Sequence, residues 1–201
     1  KGGIPTSGVS AVTLNVTGLN ATTGTYLTAE GRNDGSVPAT STLNLQPGQI
    51  RNNQTTVPLP SGDSSIAVYN FAGTTDVIVD VVGYYSDSGA YYKITNPTRI
   101  ADTRTGSGQP YAGQTIANGK TLNVSSTTIP GATAEDINLT AVSPKVGGFL
   151  SAFPTTSSYA GTSSMNFNAG EVLAKQTTTK VTTSGSSSAF SIYNGSGGPA
   201  D

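Results

Sequence analysis

The chain has 201 residues and a formal net charge of −1, and it contains neither histidine nor cysteine. This length suits two domains of about 100 residues, each large enough to bury a core. The lack of histidine excludes Ser-His-Asp and Cys-His catalytic arrangements and histidine-containing zinc sites, and the lack of cysteine excludes a disulfide scaffold.

Short apolar segments, separated by Gly, Pro, Asn and Asp, recur along the first half of the chain. β-branched and aromatic residues dominate these segments, which is typical of strands rather than helices. The predicted strands are 9–17, 25–29, 40–45, 53–59, 65–71 and 76–85. Their spacing, and the turn residues between them, predict an all-β fold of the sandwich or barrel type.

Alternation within the predicted strands assigns their side chains to two faces. Segment 9–17 places apolar residues on one face and polar residues on the other, which predicts a half-buried strand. Segment 77–82 is apolar on both faces apart from Asp80, which predicts a central strand covered on both sides. The predicted core of this half comprises Val12, Leu14, Val16, Leu43, Leu45, Val77, Val79 and Val81.

The same pattern occurs twice, at an offset of about 123 residues, and so long a period indicates tandem domains. Segment 14–17, Leu-Asn-Val-Thr, corresponds to segment 137–140, Ile-Asn-Leu-Thr. Glu135 stands where the first copy has Val12, so this face is less apolar in the second copy. The predicted core of the second copy includes Ile137, Leu139, Met165 and Phe167.

The two copies differ at their ends. The second opens with segment 91–124, which has no counterpart in the first. The first closes with segment 76–85, whose counterpart in the second would begin at Asp201. We therefore predict two tandem β-sandwich-like domains, 1–88 and 89–201, of which the second lacks its last strand.

Three motifs together resemble a known family. They are Pro97-x-Arg99-Ile-x-Asp102-Thr-Arg104-x-Gly106, Leu-Asn-Val-Thr at 14–17, and Asp-Val-Ile-Val-Asp-Val-Val-Gly-Tyr-Tyr at 76–85. As a set they resemble a tandem repeat domain of secreted actinobacterial and related Gram-positive surface proteins. That domain occurs beside peptidases, amidases and glycoside hydrolases, or repeated alone. The resemblance implies an extracellular, non-catalytic, all-β module on a bacterial surface.

Arg99, Asp102 and Arg104 form the densest group of charges, and Asp80 is an additional acidic candidate. Two interpretations are open. Two guanidinium groups beside a carboxylate suit a sugar acid or a phosphate. The same residues also suit an internal ion pair that pins a loop to the sheet, with Asp80 as a second acidic partner. Either interpretation predicts that Asp102 is paired with Arg99 or Arg104, because a buried charge needs compensation.

Four tyrosines flank the predicted hinge between the domains, namely Tyr84, Tyr85, Tyr91 and Tyr92. Exposed aromatic rings stack on sugars, so these residues are candidates for a carbohydrate groove. The alternative is packing at the domain junction.

Asparagines recur at equivalent positions of the two copies. They suit either a row of sugar-binding amides or hydrogen bonds to backbone at strand ends and turns, which we favour. The three pairs are Asn15 and Asn138, Asn44 and Asn166, and Asn70 and Asn194.

These features predict a non-catalytic structural or adhesive protein of a bacterial surface. Its predicted partners are other copies of itself or neighbouring repeat domains. Three alternatives stay open for the missing last strand of the second copy: downstream sequence, segment 77–85 shared across the junction, or a strand from a neighbouring chain. The last alternative would join copies into a filament by strand complementation. The alternative is a carbohydrate-binding accessory module that contacts cell-wall or another polysaccharide. No metal or cofactor is predicted, because the acidic residues lack calcium-loop spacing. The net charge does not favour nucleic acid, and no apolar run reaches the roughly 18–20 residues of a membrane span.

Overall fold

The structure is a computed structural model of the chain that describes residues 4–31, 38, 40–60, 65–86, 89, 98–127 and 132–200. These residues contain no helix, and their sheets are antiparallel. The all-β fold class is therefore confirmed. The chain divides into two compact units, Lys1–Lys93 and Ile94–Asp201, called unit 1 and unit 2 below. Positions 87, 88 and 90–97, around the predicted domain boundary, lie outside the described residues.

The described residues of unit 1 form six strands in two sheets. The strands are β1 (Val9–Leu19), β2 (Thr25–Glu30), β3 (Leu43–Leu45), β4 (Arg51–Pro58), β5 (Ala67–Asn70) and β6 (Asp76–Ser86). One sheet has the order β4-β1-β6 and the other the order β3-β2-β5. Both sheets contribute side chains to one core, so unit 1 has the architecture of a small β-sandwich.

The core of unit 1 follows the predicted alternation along β1 and β3. Leu14 is 1% exposed, and Leu27 from the facing sheet is fully buried. Five of the eight residues predicted for this core are confirmed, those on β1 and β3. Among the described residues, the buried apolar side chains of this core are Val12, Leu14, Val16, Ala21, Leu27, Ala29, Leu43, Leu45 and Val57.

The opposite face of β1 is polar, as predicted, but it is buried as well, so the prediction of a half-buried strand is wrong. This face includes Thr13, Asn15 and Thr17. Two hydrogen bonds connect it to β4. The hydroxyls of Thr13 and Thr56 are 3.1 Å apart, and Asn52 Nδ2 donates to Asn15 Oδ1 at 2.7 Å. Because β1 lies between two strands, its polar side chains are covered by those of its neighbours and are satisfied by them.

Strand β6 corrects one prediction. It is the last strand in its sheet order and pairs with β1 alone among the described residues. Val77, Val79 and Val81 lie opposite Gly18, Val16 and Leu14 of β1, yet they are between 37% and 43% exposed. The predictions that this strand is central and covered on both sides, and that these valines belong to the core, are wrong. The described part of unit 1 supplies no layer that covers them.

In unit 2, the described residues form seven strands. They are β7 (Thr121–Thr127), β8 (Ala134–Val142), β9 (Gly148–Pro154), β10 (Met165–Phe167), β11 (Val172–Lys180), β12 (Thr182–Ser184) and β13 (Ser187–Asn194). One sheet is the pair β11-β8. The other has the order β10-β9-β13-β12, and β7 pairs with β13 on its remaining side.

The core of unit 2 lies between these two sheets. Leu139, Met165 and Phe167 are buried in it, and Ile137 packs against it while partly exposed, so the predicted positions are confirmed. Glu135 is accommodated at the margin, where its Oε1 accepts hydrogen bonds from the Ser126 and Ser188 hydroxyls. The buried set is Ile116, Val124, Leu139, Ala141, Leu150, Met165, Phe167, Val181, Phe190, Ile192 and Ala200.

Strand β8 of unit 2 is the repeat equivalent of strand β1 of unit 1. It pairs with β11 as β1 pairs with β4. Within the described ranges, however, β8 has no second partner equivalent to β6. Among the described residues, no strand pairs with the edge of β8 at the position where unit 1 carries β6.

Candidate functional sites

The predicted charge cluster lies in unit 2, on the segment that precedes β7. Asp102 accepts hydrogen bonds from Arg99 Nη1 at 3.0 Å and from Arg104 Nε and Nη2 at 2.9 and 2.6 Å. The Asp102 side chain is 5% exposed, whereas those of Arg99 and Arg104 are 59% and 50% exposed. The predicted pairing of Asp102 is thus present with both arginines.

The contacts around Asp102 hold a loop over the core. Ile100 and Ala101, next to Asp102, pack against the core of unit 2. The Ser107 hydroxyl donates to the Asp102 carbonyl at 3.1 Å, and the Arg104 backbone N–H donates to Asp102 Oδ1 at 3.2 Å. Because both carboxylate oxygens receive donors from their own segment, the geometry favours the structural interpretation of this cluster over an anion site.

Asp80 belongs to unit 1, on β6, where it lies opposite Asn15. Partial burial raises the pKa of Asp80 above its ordinary value, and a hydrogen bond with Asn15 opposes that rise. Its assigned partner is therefore an amide on the adjacent strand.

The pH dependence of stability should reflect Asp102. Hydrogen bonds from Arg104 hold the pKa of Asp102 well below its usual range. The unfolded chain therefore takes up this proton first, near its ordinary pKa of about 3.9. The contribution of Asp102 to stability is present above that pH and is lost as pH falls through the folded pKa. In urea titrations at decreasing pH, we expect unit 2 to lose stability in acid and Asp102→Asn to lose less. Equal pH slopes in the two proteins would contradict this assignment.

Asp80→Asn is the comparison for that experiment, and its stability is followed in unit 1, to which Asp80 belongs. Because the pKa of Asp80 is raised, its charged form is disfavoured in the folded chain, and its effect on the pH slope has the opposite sign.

The candidate sugar-stacking tyrosines are only partly described. Tyr84 and Tyr85 lie on β6, opposite Val12 and Ala11, and both are exposed. Tyr91 and Tyr92 lie outside the described residues, so the predicted groove at the hinge stays a prediction.

The recurring asparagines serve different purposes. Asn70 Nδ2 donates to the carbonyls of Ala72 and Gly73 at 3.2 and 2.9 Å. The equivalent Asn194 Nδ2 donates to two backbone carbonyls at 2.8 Å each. For this pair the predicted role at a strand end is confirmed.

Asn44 and Asn166 lie instead on the outward faces of β3 and β10. Their Nδ2 atoms donate to the hydroxyls of Ser41 and Ser163 at 3.3 and 3.1 Å, so the same Ser-x-x-Asn arrangement occurs in both units. Each amide is held in place by a serine three residues earlier in the chain.

An aromatic cluster that sequence reasoning missed lies on the outward face of unit 1. It consists of Tyr26, Tyr69 and Phe71, and we call it aromatic cluster 1. Tyr26 and Phe71 are stacked, with centroids 4.8 Å apart and an interplanar angle of 17°. Tyr69 lies 6.1 Å from Tyr26. Leu27, the next residue after Tyr26, points into the core, so Tyr26 points away from it.

Unit 2 carries a second cluster on its corresponding face, formed by Phe149, Phe153, Tyr159 and Tyr193 and called aromatic cluster 2. Tyr159 and Tyr193 are stacked at 4.2 Å and 12°. Phe149 lies 5.9 and 6.1 Å from these two rings, and Phe153 lies 6.4 Å from Tyr159. Gly195 permits this packing, because a Cβ there would lie 2.1 Å from the Phe149 ring.

The two clusters occupy equivalent places in the repeat. Tyr26 corresponds to Phe149, and Tyr69 to Tyr193. Each pair lies on the same two adjacent strands, β2 and β5 or β9 and β13. Both copies of the repeat have aromatic residues at the same outward positions, and this recurrence is the sequence signal from which the two clusters could have been predicted.

No protein-family profile, curated protein or solved structure matches this chain. In the described part of the chain, no helix is long and apolar enough to cross a membrane. The same residues include no group of three or more acidic, histidine or cysteine side chains placed to hold a metal ion.

Proposed function

We propose that the chain is a non-catalytic structural or adhesive repeat protein of a bacterial surface that assembles with further copies of itself through strand edges. The supporting observation is β6. This strand of 11 residues presents apolar side chains to both faces, and they are exposed. They are Val77, Ile78, Val79, Val81 and Val82. A long apolar strand at a sheet edge is a template for pairing with another strand.

The second copy of the repeat suggests the partner. Leu14 and Val16 of β1 lie opposite Val81 and Val79 of β6. Strand β8 presents the equivalent side chains, Ile137 and Leu139, but no β6-like neighbour is found among the described residues. We therefore propose that β6 of one copy adds to the edge of β8 in another. Such a contact is heterologous and propagates into a filament.

The non-catalytic and extracellular parts of the proposal are supported by composition and by the resemblance. The chain has no histidine or cysteine, so catalysis by a Ser-His-Asp or Cys-His arrangement lacks its residues. The family resemblance implies a secreted surface module.

Sedimentation velocity at increasing protein concentration tests the assembly. We expect the mass to rise with concentration in the unaltered protein and to stay that of one chain in Ile78→Lys. A lysine on an edge strand opposes the approach of a further strand. The matched control is Val172→Lys, which places the same charge at an exposed valine on β11 and should leave assembly unchanged.

A free peptide of residues 77–85 provides a second readout. It is expected to occupy the edge of β8, to block assembly and to raise the melting temperature of unit 2. A constant mass of one chain at all concentrations, or assembly of Ile78→Lys equal to that of the unaltered protein, would contradict the proposal.

A further inference from the structure

We propose that the outward sheet face of each unit is a binding site for a neutral pyranose glycan, formed by its aromatic cluster and the neighbouring asparagine. This proposal is independent of assembly through β6, since it concerns the other sheet of each unit. It also differs from the predicted groove at the hinge tyrosines.

The strand register brings the amide and the rings together. Asn44 lies directly opposite Tyr26 across β3 and β2, and Asn166 lies directly opposite Phe149 across β10 and β9. Directly opposed side chains in antiparallel strands are neighbours on one face. Each unit therefore carries an amide, positioned by a serine, at one side of a group of aromatic rings.

This combination matches the two surfaces of a sugar ring. The C–H groups of a pyranose form an apolar face that packs on aromatic rings, whereas its hydroxyls at the rim require hydrogen-bonding groups. Within each stacked pair, Tyr26 with Phe71 and Tyr159 with Tyr193, one ring covers a face of the other, so the surface for a sugar is the ring face turned away from the stack. In unit 1 the exposed ring is Phe71, and in unit 2 Tyr159 is partly exposed. Asn166 and Asn44 supply the amides.

The lack of positive charge among the described residues of these strand faces distinguishes between the two kinds of ligand that stack on aromatic rings, sugars and nucleic acid bases. Nucleic acid bases also stack on aromatic rings, but their phosphates require Lys or Arg nearby. The rings and amides of the two clusters are uncharged, and the residues beside them on the same strand faces, Thr28, Ser151 and Ser191, are buried and uncharged. Glu30 continues this face of β2 and is acidic, which further disfavours a phosphate there. A neutral glycan therefore fits these faces better than a nucleic acid or an anionic polysaccharide.

The occurrence of the arrangement in both units is a second observation that favours a ligand. The third ring of each cluster has a different origin. Phe71 follows β5 directly, whereas Tyr159 lies in the connection between β9 and β10. Unit 2 has Gly195 at the position that Phe71 has in unit 1, so it lacks that ring. Tyr159, from a different position of the repeat, forms the stacked pair instead.

Binding of the intact chain to cellohexaose, chitohexaose and an oligogalacturonate by isothermal titration calorimetry tests the site. We expect binding of at least one neutral oligosaccharide and none of the anionic one. Tyrosine fluorescence gives a parallel signal, because the chain has nine tyrosines and no tryptophan.

Two variants locate the binding. Tyr159→Ala removes a ring from a connection outside the strands and should weaken binding in unit 2 on the order of tenfold. Adding Phe71→Ala, which removes an exposed ring from unit 1, should weaken the remaining site similarly. The matched control is the pair Tyr84→Ala and Tyr85→Ala on β6, which should bind as the unaltered protein does. Melting temperatures establish that each variant is folded.

Three outcomes would overturn the proposal. One is the absence of binding to any neutral oligosaccharide, and another is equal binding by the Phe71 and Tyr159 double variant. The third is a loss confined to the Tyr84 and Tyr85 variant, which would move the sugar site to β6. If the double variant lowers the assembled mass without changing sugar binding, these faces are contacts between copies and the proposal is wrong. Loss of sugar binding without a change in assembly leaves the filament proposal intact.

Discussion

Phe190→Ala is expected to lower the free energy of unfolding of unit 2 by about 3–5 kcal/mol. Phe190 is the largest fully buried side chain of the protein among the described residues and is 2% exposed. It lies on β13, which pairs with β7 on one side and with β9 and β12 on the other. A strand held on both sides cannot easily move into the space left by the ring, so a cavity remains. Urea titration followed by amide hydrogen exchange within β13 measures this loss.

Phe71→Ala is the matched control for that measurement. Phe71 is the same residue type but lies exposed on the surface of unit 1, so its removal should cost less than about 1 kcal/mol. Comparable losses for the two phenylalanines would show that the core of unit 2 is wrongly assigned.

Leu14→Ala is expected to destabilise unit 1 by about 2–5 kcal/mol. Leu14 is at the centre of its core and belongs to the middle strand of the β4-β1-β6 sheet. Its loss removes apolar contacts to both sheets at once. Amide exchange in β1, compared with that in unit 2, separates this effect from any change elsewhere.

Val81→Ala is the informative comparison, because Val81 lies directly opposite Leu14 on β6 but is exposed. In the monomer we expect it to cost less than about 1 kcal/mol. If β6 is covered by another copy, the cost should increase at concentrations where the protein assembles. A loss below about 1 kcal/mol for Leu14→Ala would contradict the face assignment along β1.

Much of each unit is predictable from local pattern. Alternation along 9–17 identified Val12, Leu14 and Val16 as one buried face, because successive side chains of a strand point to opposite sides. The repeat then transferred this assignment to Leu139 in unit 2. A pairing of Asp102 with Arg99 or Arg104 was also predictable, since the charges lie within six residues of one another and a buried carboxylate needs donors. That both arginines bind it is a result of the folded structure.

Strand β6 shows where local pattern is insufficient. Its apolar residues indicated burial, yet they are exposed, because burial depends on which strands and layers lie beside it. Alternation states which side chains share a face but not whether anything covers that face. The outward aromatic clusters were likewise not predictable from local pattern. The sequence contains Tyr26 and Tyr159, but only the folded chain stacks them on Phe71 and Tyr193.

The sequence by itself therefore determined the all-β class, the two copies of the repeat and the inward residues of most strands, because these depend on period, turn residues and neighbours along the chain. Tertiary structure decided the edge position of β6, the open edge of β8 among the described residues, and the grouping of rings and amides on the outward faces. Those features depend on pairing between residues far apart in the chain, where strand order and register, rather than local preference, set which side chains meet.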